Sequence, residues 1–368
     1  MLHRRVFCTA LVIILLLLNS VYALDKDMKA RESFNNAQFD ILETYGVERM
    51  GAVYMRGFAA SKDGKYLYVG LVHHDNGLFR LNSKDGSFDG ISYYDEDNGM
   101  IKGIATDDRG YVYIGITKET SFDRVSIAVL DKDLNELSYE TIEIEGKVGV
   151  NGVEVHKRKG RYYMYFITNY ETNTIRCYDV TDSKNIKVNK DFGTNGVLNL
   201  STLLGNENAQ GNYLKIADDG TVYLTANIYM LRPKGDTLLK IDKDFSKVLK
   251  TYALDDAYGI DVYKDYVLIS TYSGNESRVC VFNKDIKHIA VIGGRPDSSD
   301  YSGVAVAKGR VYISDQNYMG MDRILVSDVI SELKPTSYTR IIIQVVSLII
   351  LFGMVTVIVY SIKKLKRV

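Results

Sequence analysis

The chain repeats one pattern six times, and this repetition limits the folds available to it. Each copy combines an alternating apolar stretch, a turn, and a tyrosine- and valine-rich stretch, as in Gly103–Asp107 followed by Tyr111–Ile114. The copies begin at positions 57, 103, 152, 213, 259 and 303, and five of them begin with glycine. A period in the forties with about four short strands is typical of a β-propeller, so we predict an all-β fold with six blades.

A strand-like segment ahead of the first repeat predicts how the ring closes. Repeat six has no clear fourth strand before Pro335, whereas other repeats have one, such as Phe88–Tyr94 or Val248–Leu254. The segment Phe39–Tyr45 resembles these fourth strands. We therefore expect it to pair with Arg323–Val326 and to complete the last blade, which removes an exposed sheet edge.

The two ends of the chain predict secretion and a membrane anchor. Residues 1–23 contain Arg4 and Arg5, then an apolar run and small residues, as in a secretory signal peptide. Residues 341–362 carry no charge and are long enough to cross a bilayer as a helix. A basic tail at 363–368 indicates the cytoplasmic side. We expect a single-pass cell-membrane protein with a lead-in at 24–38, the propeller at 39–333 outside the cell and a stalk at 334–340.

The charge of the outer portion argues against nucleic acid as a partner. The whole chain has 46 Lys and Arg and 46 Asp and Glu. Residues 1–23 and 339–368 contain seven of the basic residues and none of the acidic ones, which leaves 39 against 46 and a net charge of −7. A nucleic-acid-binding domain would carry a basic surface instead.

The cysteines predict no disulfide. Cys8 lies in the predicted signal peptide, which leaves Cys177 and Cys280 in the third strands of repeats three and five. Those blades are not neighbours, so the two Cα atoms should lie beyond the roughly 7 Å limit for a disulfide.

Oxygen-bearing and aromatic side chains mark one face of the predicted ring. The loops that lead into the first strands and the loops between second and third strands share this face. Asp, Asn and Gly also populate turns for conformational reasons alone. As a binding surface, such a face would suit Ca²⁺ or a sugar or peptide. The candidate ligand contacts are His73, His74, Asp75, Asp97, Tyr258, Asp300, Tyr301 and Asp315.

The repeats resemble the NHL-type propellers, most closely in Gly303–Asp315 and Arg323–Val326. They are also distantly similar to gluconolactonase- and regucalcin-like propellers, in which Asn, Asp and Glu from different blades hold a central divalent cation. That resemblance implies a site in which Asn151 and Asn212, at equivalent positions of successive repeats, are ligands. Asp255 or Asp256 would supply charge, and Glu154 or Glu48 would be a fourth ligand.

A binding role is the function that the sequence favours. The chain has no His-Glu-x-x-His and no Gly-x-Ser-x-Gly motif. We expect a membrane-anchored propeller that binds an extracellular peptide, glycan or protein without catalysis. The first alternative is a lactonase- or lyase-like hydrolase that depends on a divalent cation. The second is an accessory sensory subunit of a membrane complex.

Overall fold

The computed structural model describes the central part of the chain with several short gaps. The described residues are 37–39, 43–46, 54–72, 77–94, 99–118, 122, 124–227, 236–273, 276–293, 300–316 and 323–327. The predicted signal peptide, stalk, membrane span and basic tail lie outside them. Within the described residues, no helix combines the length and the hydropathy needed to span a membrane.

Six sheets of mainly antiparallel strands make up the described chain, each a blade of a propeller. Two short strands come first, β1 (Ala37–Phe39) and β2 (Glu43–Gly46). Blade I contains β3 (Tyr54–Ala60), β4 (Tyr66–Val72), β5 (Gly77–Asn82) and β6 (Phe88–Tyr94). Blade II contains β7 (Gly99–Thr106), β8 (Val112–Lys118), β9 (Arg124–Leu130) and β10 (Glu136–Glu143). Blade III contains β11 (Val148–Arg158), β12 (Arg161–Tyr170), β13 (Thr174–Asp179), β14 (Lys187–Val188) and β15 (Val197–Asn199).

The remaining blades follow the same order from the inside of the ring to the outside. A helix of five residues, α1 (Leu200–Leu204), precedes blade IV. Blade IV contains β16 (Gln210–Ile216), β17 (Val222–Asn227), β18 (Thr237–Ile241) and β19 (Val248–Ala253). Blade V contains β20 (Asp256–Tyr263), β21 (Tyr266–Ser273), β22 (Glu276–Asn283) and β23 (His288–Gly293). Blade VI contains β24 (Tyr301–Ala307), β25 (Arg310–Asp315) and β26 (Arg323–Ser327).

An N-terminal strand closes the ring, as predicted. Strand β2 pairs antiparallel with β26, with Tyr45 opposite Ile324, and becomes the outer strand of blade VI. The expected single strand over Phe39–Tyr45 is wrong in one respect. Strand β1 is separate from β2 and pairs in parallel with β23, so that it adds a fifth strand to blade V.

The hydrophobic core lies between the faces of neighbouring blades. Separate clusters join blades I and II, II and III, III and IV, IV and V, and VI and I. In blade IV the third strand β18 is buried on both faces, whereas the outer strand β19 is almost wholly exposed. Each blade is therefore held by its two neighbours, which is how a propeller buries sheets that have no second layer.

Glycine is required where the innermost strands converge. A Cβ on Gly303 would lie 2.7 Å from the Cβ of Phe58 in blade I, and a Cβ on Gly259 would lie 2.8 Å from the Cα of Gly303. Contacts this short do not occur between real Cβ atoms and their neighbours. Glycine at these two positions therefore permits the close approach of the inner strands.

Candidate ligand-binding site at the channel mouth

A β-bulge interrupts the innermost strand of every blade at the same place. In each blade the register with the second strand shifts across one residue, which is left without an opposing partner. In five blades that residue directly precedes the glycine that allows close approach. Such bulges re-aim side chains and are common beside functional sites. The six bulge residues are Arg56, Lys102, Asn151, Asn212, Tyr258 and Ser302.

Five of the bulge side chains line one cavity of about 640 Å³ at the mouth of the central channel. Ser302 is the exception, since it is fully buried and lies 3.0 Å from the hydroxyl of Ser314. The cavity opens on the face formed by the ends of the second strands, where Asn169, Tyr170 and Asn227 contribute. This is the face that the sequence predicted as the binding face.

The cavity wall is polar and aromatic. Its amide side chains are Asn151, Asn169, Gln210, Asn212 and Asn227, its rings are Phe122, Tyr170, Tyr213 and Tyr258, and its charged groups are Arg56, Lys102, Asp236 and Asp256. The Arg56 guanidinium lies 5.2 Å from the centre of the Tyr258 ring, within the range of a cation–π contact. Burial raises the pKa of Tyr213 to about 12, so this phenol stays neutral and can donate a hydrogen bond.

Asp236 is the buried carboxylate of the cavity. Its Oδ2 accepts hydrogen bonds from Asn212 Nδ2 at 2.9 Å and from the Ala257 backbone N–H at 2.7 Å. The side chain is 3% exposed. Burial raises the pKa of Asp236 to about 6, and the nearby charge of Asp256 adds to this effect, while the two hydrogen bonds oppose it.

The structure brings together four of the residues that the sequence proposed. Asn151, Asn212, Asp256 and Tyr258 all line the cavity. Asp255 does not line it, because its carboxylate forms an ion pair with Arg278. Glu154 lies deeper in the channel, where its Oε2 is 2.8 Å from Lys215 Nζ.

Three expected ligand contacts belong to the entry and to the second strand of blade VI. Asp300, Tyr301 and Asp315 are all buried. The Asp300 backbone N–H donates to Asp315 Oδ1 at 2.9 Å, and the Tyr301 N–H donates to Ser277 Oγ at 3.2 Å. These contacts hold the entry to β24. That the three side chains contact a ligand stays a prediction. The other expected contacts, His73, His74, Asp75 and Asp97, lie outside the described residues.

Sequence reasoning missed the two cations of the cavity. Arg56 and Lys102 stand directly before Gly57 and Gly103, just as Asn151 stands before Gly152. The positional equivalence that singled out Asn151 and Asn212 applies to them equally. Extending it to every repeat would have found the whole ring of bulge residues.

The donor set fits a tight Ca²⁺ site poorly. Such a site needs carboxylate charge as well as neutral oxygens. Here Asp255 is engaged by Arg278, and Arg56 and Lys102 bring two positive charges to the same cavity. Among the described residues, no group of three His, Cys, Asp or Glu side chains is placed to hold a metal ion. A calcium site therefore stays a prediction.

The opposite opening of the channel contains a buried ionic group. Lys215 pairs with Glu154, and its Nζ lies 3.9 Å from Asp261 Oδ1. Both carboxylates raise the pKa of Lys215 against the effect of burial. The Val306 backbone N–H donates to Asp261 Oδ2 at 2.7 Å, which links blades V and VI. These contacts connect blades III, IV, V and VI around the channel wall.

Strand order and the bulge ring define a six-bladed β-propeller with a polar channel mouth. No protein-family model matches the chain, and no curated protein sequence matches it. Among solved structures it is similar to the β-propeller domain of Cps50 (Swd1) from Myceliophteria thermophila, with 11% identity, a TM-score of 0.49 and coverage of 78% of this chain and 98% of that one.

Two further structures show similarities of the same order. BamB from Moraxella catarrhalis is 12% identical with a TM-score of 0.41, over 74% of this chain and 84% of that one. Raptor from Chaetomium thermophilum is 11% identical with a TM-score of 0.46, over 79% of this chain, which spans only 29% of Raptor. Similarities this distant carry no inference about function, so the fold assignment rests on the strand pairing described above.

Proposed function

We propose that this propeller is a non-catalytic binding module that holds a peptide in its channel mouth. The observation that carries the proposal is the ring of bulges, which turns side chains from five blades into one cavity. Because bulges re-aim side chains, a bulge at the same place in every inner strand indicates a binding site and not only a packed core.

The side chains of the cavity wall can form the contacts that a peptide ligand requires. Its five amide side chains both donate and accept hydrogen bonds, as peptide groups do. Tyr170, Tyr213 and Tyr258 add flat surfaces with a polar tip, which suit ligand side chains. A volume of about 640 Å³ lies within the roughly 300–1,000 Å³ range of small-ligand pockets. Among the described residues that line the cavity there is no serine, cysteine or histidine.

The proposal includes the cellular setting predicted from the two ends. Residues 1–23 direct secretion, residues 341–362 anchor the chain, and the propeller faces outward. In that setting the mouth binds extracellular ligands. Extraction of cell membranes with alkaline carbonate tests the anchor: a version ending at residue 338 should be released, and the full chain should stay with the membrane.

A binding assay on the full chain tests the function. A library of tri- to pentapeptides and a set of neutral mono- and disaccharides are screened by calorimetry. We expect peptides to bind and Asn151→Trp, which fills the mouth, to abolish binding. Asn185→Trp is the matched control, because Asn185 is exposed and lies outside the cavity lining. Binding of sugars alone, or peptide binding that survives Asn151→Trp, would contradict the proposal.

A cation-dependent hydrolase is the second candidate. It is favoured by one feature, the presence of Asn151 and Asn212 at equivalent bulges in a cavity that also contains Asp256. Titration of the full chain with Ca²⁺ and Mg²⁺ tests it. Saturation at one ion per chain that is lost in the Asn151→Ala, Asn212→Ala double variant would support this candidate over the first.

A further inference from the structure

Two aromatic rings from neighbouring blades meet in the lining of the cavity. Phe122 lies between β8 and β9 of blade II, and Tyr170 ends β12 of blade III. Both side chains line the cavity. Their ring centres are 5.3 Å apart and their planes are inclined by 72°, which is an edge-to-face arrangement. Such a pair uses an edge of one ring and a face of the other, so ring faces are left for a third ring.

The backbone at both residues has the left-handed conformation that large side chains rarely adopt. The φ angle is 52° at Phe122 and 71° at Tyr170. Three other large apolar residues of the described chain share this conformation, and their side chains are in the core: Leu134, Phe245 and Ile286 are 5%, 6% and 1% exposed. Tyr170 is instead 41% exposed, and Phe122 is half-buried. The same conformation that packs the core elsewhere therefore places two rings in the mouth, and strained residues of this kind cluster at binding sites.

Backbone hydrogen bonds fix the aromatic pair on the first residue of β11. The Val148 backbone N–H donates to the Phe122 carbonyl at 2.6 Å, and Val148 lies opposite Tyr170 in the ladder of β11 and β12. The Asn173 side chain donates to the Tyr170 carbonyl at 3.2 Å. These contacts hold the backbone of both residues without a ligand, so binding requires little further ordering of the loops.

Gly149 leaves room for the Tyr170 ring. A Cβ at position 149 would lie 2.8 Å from Cε2 and 3.2 Å from Cδ2 of that ring. Gly149 lies in β11, two residues before Asn151, which also lines the cavity. A side chain at this position would displace the ring, so the glycine sets where the ring lies in the cavity wall.

We propose that Phe122 and Tyr170 form a side-chain subsite of the mouth, and that the ligand is a peptide with an aromatic residue. The inference rests on the proposed function and names the ligand class. The ring of the ligand packs on the exposed Tyr170 ring, while the amide side chains of the cavity bind the peptide groups beside it. Aromatic pairs are stabilised by ring geometry beyond the area that they bury, so an aromatic side chain is favoured over an aliphatic one.

Peptides that differ in one side chain test the subsite. Calorimetry on the full chain uses the tripeptide Ala-Xaa-Ala with an acetylated and an amidated end, in which Xaa is phenylalanine, tryptophan, cyclohexylalanine or alanine. We expect the phenylalanine and tryptophan peptides to bind about tenfold or more tightly than the alanine peptide. Cyclohexylalanine has a similar size but no aromatic ring, so its peptide should bind roughly two- to tenfold more weakly than the phenylalanine peptide. Equal binding of the phenylalanine peptide and either of these two would overturn the inference.

Variants of the two rings locate the contact. Tyr170→Ala and Phe122→Ala should each weaken the phenylalanine and tryptophan peptides several-fold and leave the alanine peptide unchanged. The chain has no tryptophan, so fluorescence anisotropy of the tryptophan peptide gives a second measure of binding. Tyr139→Ala is the matched control, because Tyr139 is 38% exposed and lies outside the cavity lining. An equal loss for the phenylalanine and alanine peptides would contradict the proposed subsite.

Gly149→Ala tests the position of the ring without removing it. This variant should weaken the phenylalanine peptide as Tyr170→Ala does, and the two losses should not add in the double variant, because both remove the same contact. Thermal unfolding checks that each variant is folded. Additive losses would contradict the role of Gly149 in placing Tyr170.

The outcomes separate this inference from the function on which it rests. If peptides bind without preference for an aromatic residue and Asn151→Trp abolishes their binding, the mouth is a peptide site and only the aromatic subsite fails. If no peptide binds, with or without an aromatic residue, both fail.

Discussion

Asp236 is held in surroundings that oppose its charge. It is buried, Asp256 is close, and the partners of its carboxylate are an amide and a backbone N–H. Its pKa of about 6 in the folded protein lies above the ordinary value of 3.8. The stability that protonated Asp236 contributes is therefore complete below about pH 3.8 and is lost as the pH rises through 6.

The substitution Asp236→Asn removes this pH dependence. Between pH 4 and pH 7.5, the free energy of unfolding of the variant should rise relative to the wild type by up to about 3 kcal/mol. Urea unfolding at a series of pH values measures it, and Asp133→Asn serves as an exposed control. Curves for Asp236→Asn and wild type that stay parallel over this range would show that Asp236 titrates normally.

Substitution of Gly303 tests how closely the inner strands of neighbouring blades approach one another. The nearest groups to an added Cβ are Phe58 Cβ at 2.7 Å and Ser314 Oγ at 2.9 Å. Gly303→Val should therefore lower the free energy of unfolding by roughly 1–3 kcal/mol or more through overpacking, and Gly303→Ala should lower it by less. Thermal and urea unfolding measure the series. A valine variant as stable as the wild type would mean that blade VI does not approach blade I this closely.

At the scale of strands, sequence periodicity predicted most of the blades. The segments Phe88–Tyr94 and Val248–Leu254 were expected as fourth strands, and the structure has β6 over Phe88–Tyr94 and β19 over Val248–Ala253. Strand β1 was not predicted, because three residues show no period and its partner β23 is distant in sequence. The bulges were not predicted either, since a register shift follows from contacts between strands rather than from apolar alternation.

Strand β2 closes the ring by completing blade VI, whereas β1 adds a fifth strand to blade V, which already has four. A chain that lacks residues 24–42 loses β1 and should remain folded. A chain that lacks 24–46 also loses β2, which exposes the edge of β26. We expect this second chain to be insoluble or to be cut rapidly by protease, as measured by limited proteolysis of the two matched truncations. Equal stability of both would contradict closure by β2.

For the whole molecule, the arrangement of charge matters more than its sum. The oxygen-bearing side chains of the predicted binding face suggested Ca²⁺ as a ligand, whereas the net charge of −7 argued only against nucleic acid. The fold instead gathers two cations and two carboxylates from four blades into one cavity. Composition could not reveal this, because the position of each charge depends on the bulges and on the order of the blades.

A thiol count tests the blade assignment and the processing of the chain together. Cys177 is buried between blades III and IV, and burial raises the pKa of its thiol to about 12. Cys280 is buried between blades IV and V, and burial raises the pKa of its thiol as well. Because the thiolate is the reactive form, both should resist a thiol reagent in the native protein at pH 8.

After unfolding without reductant, two thiols should react if residues 1–23 have been removed, and three if Cys8 is retained. Wild-type protein is compared with the Cys177→Ala and Cys280→Ala variants, each of which should lose one reactive group. A count of zero in unfolded processed chain, with a gel shift on reduction, would show that the two cysteines are joined and that blades III and V are wrongly placed.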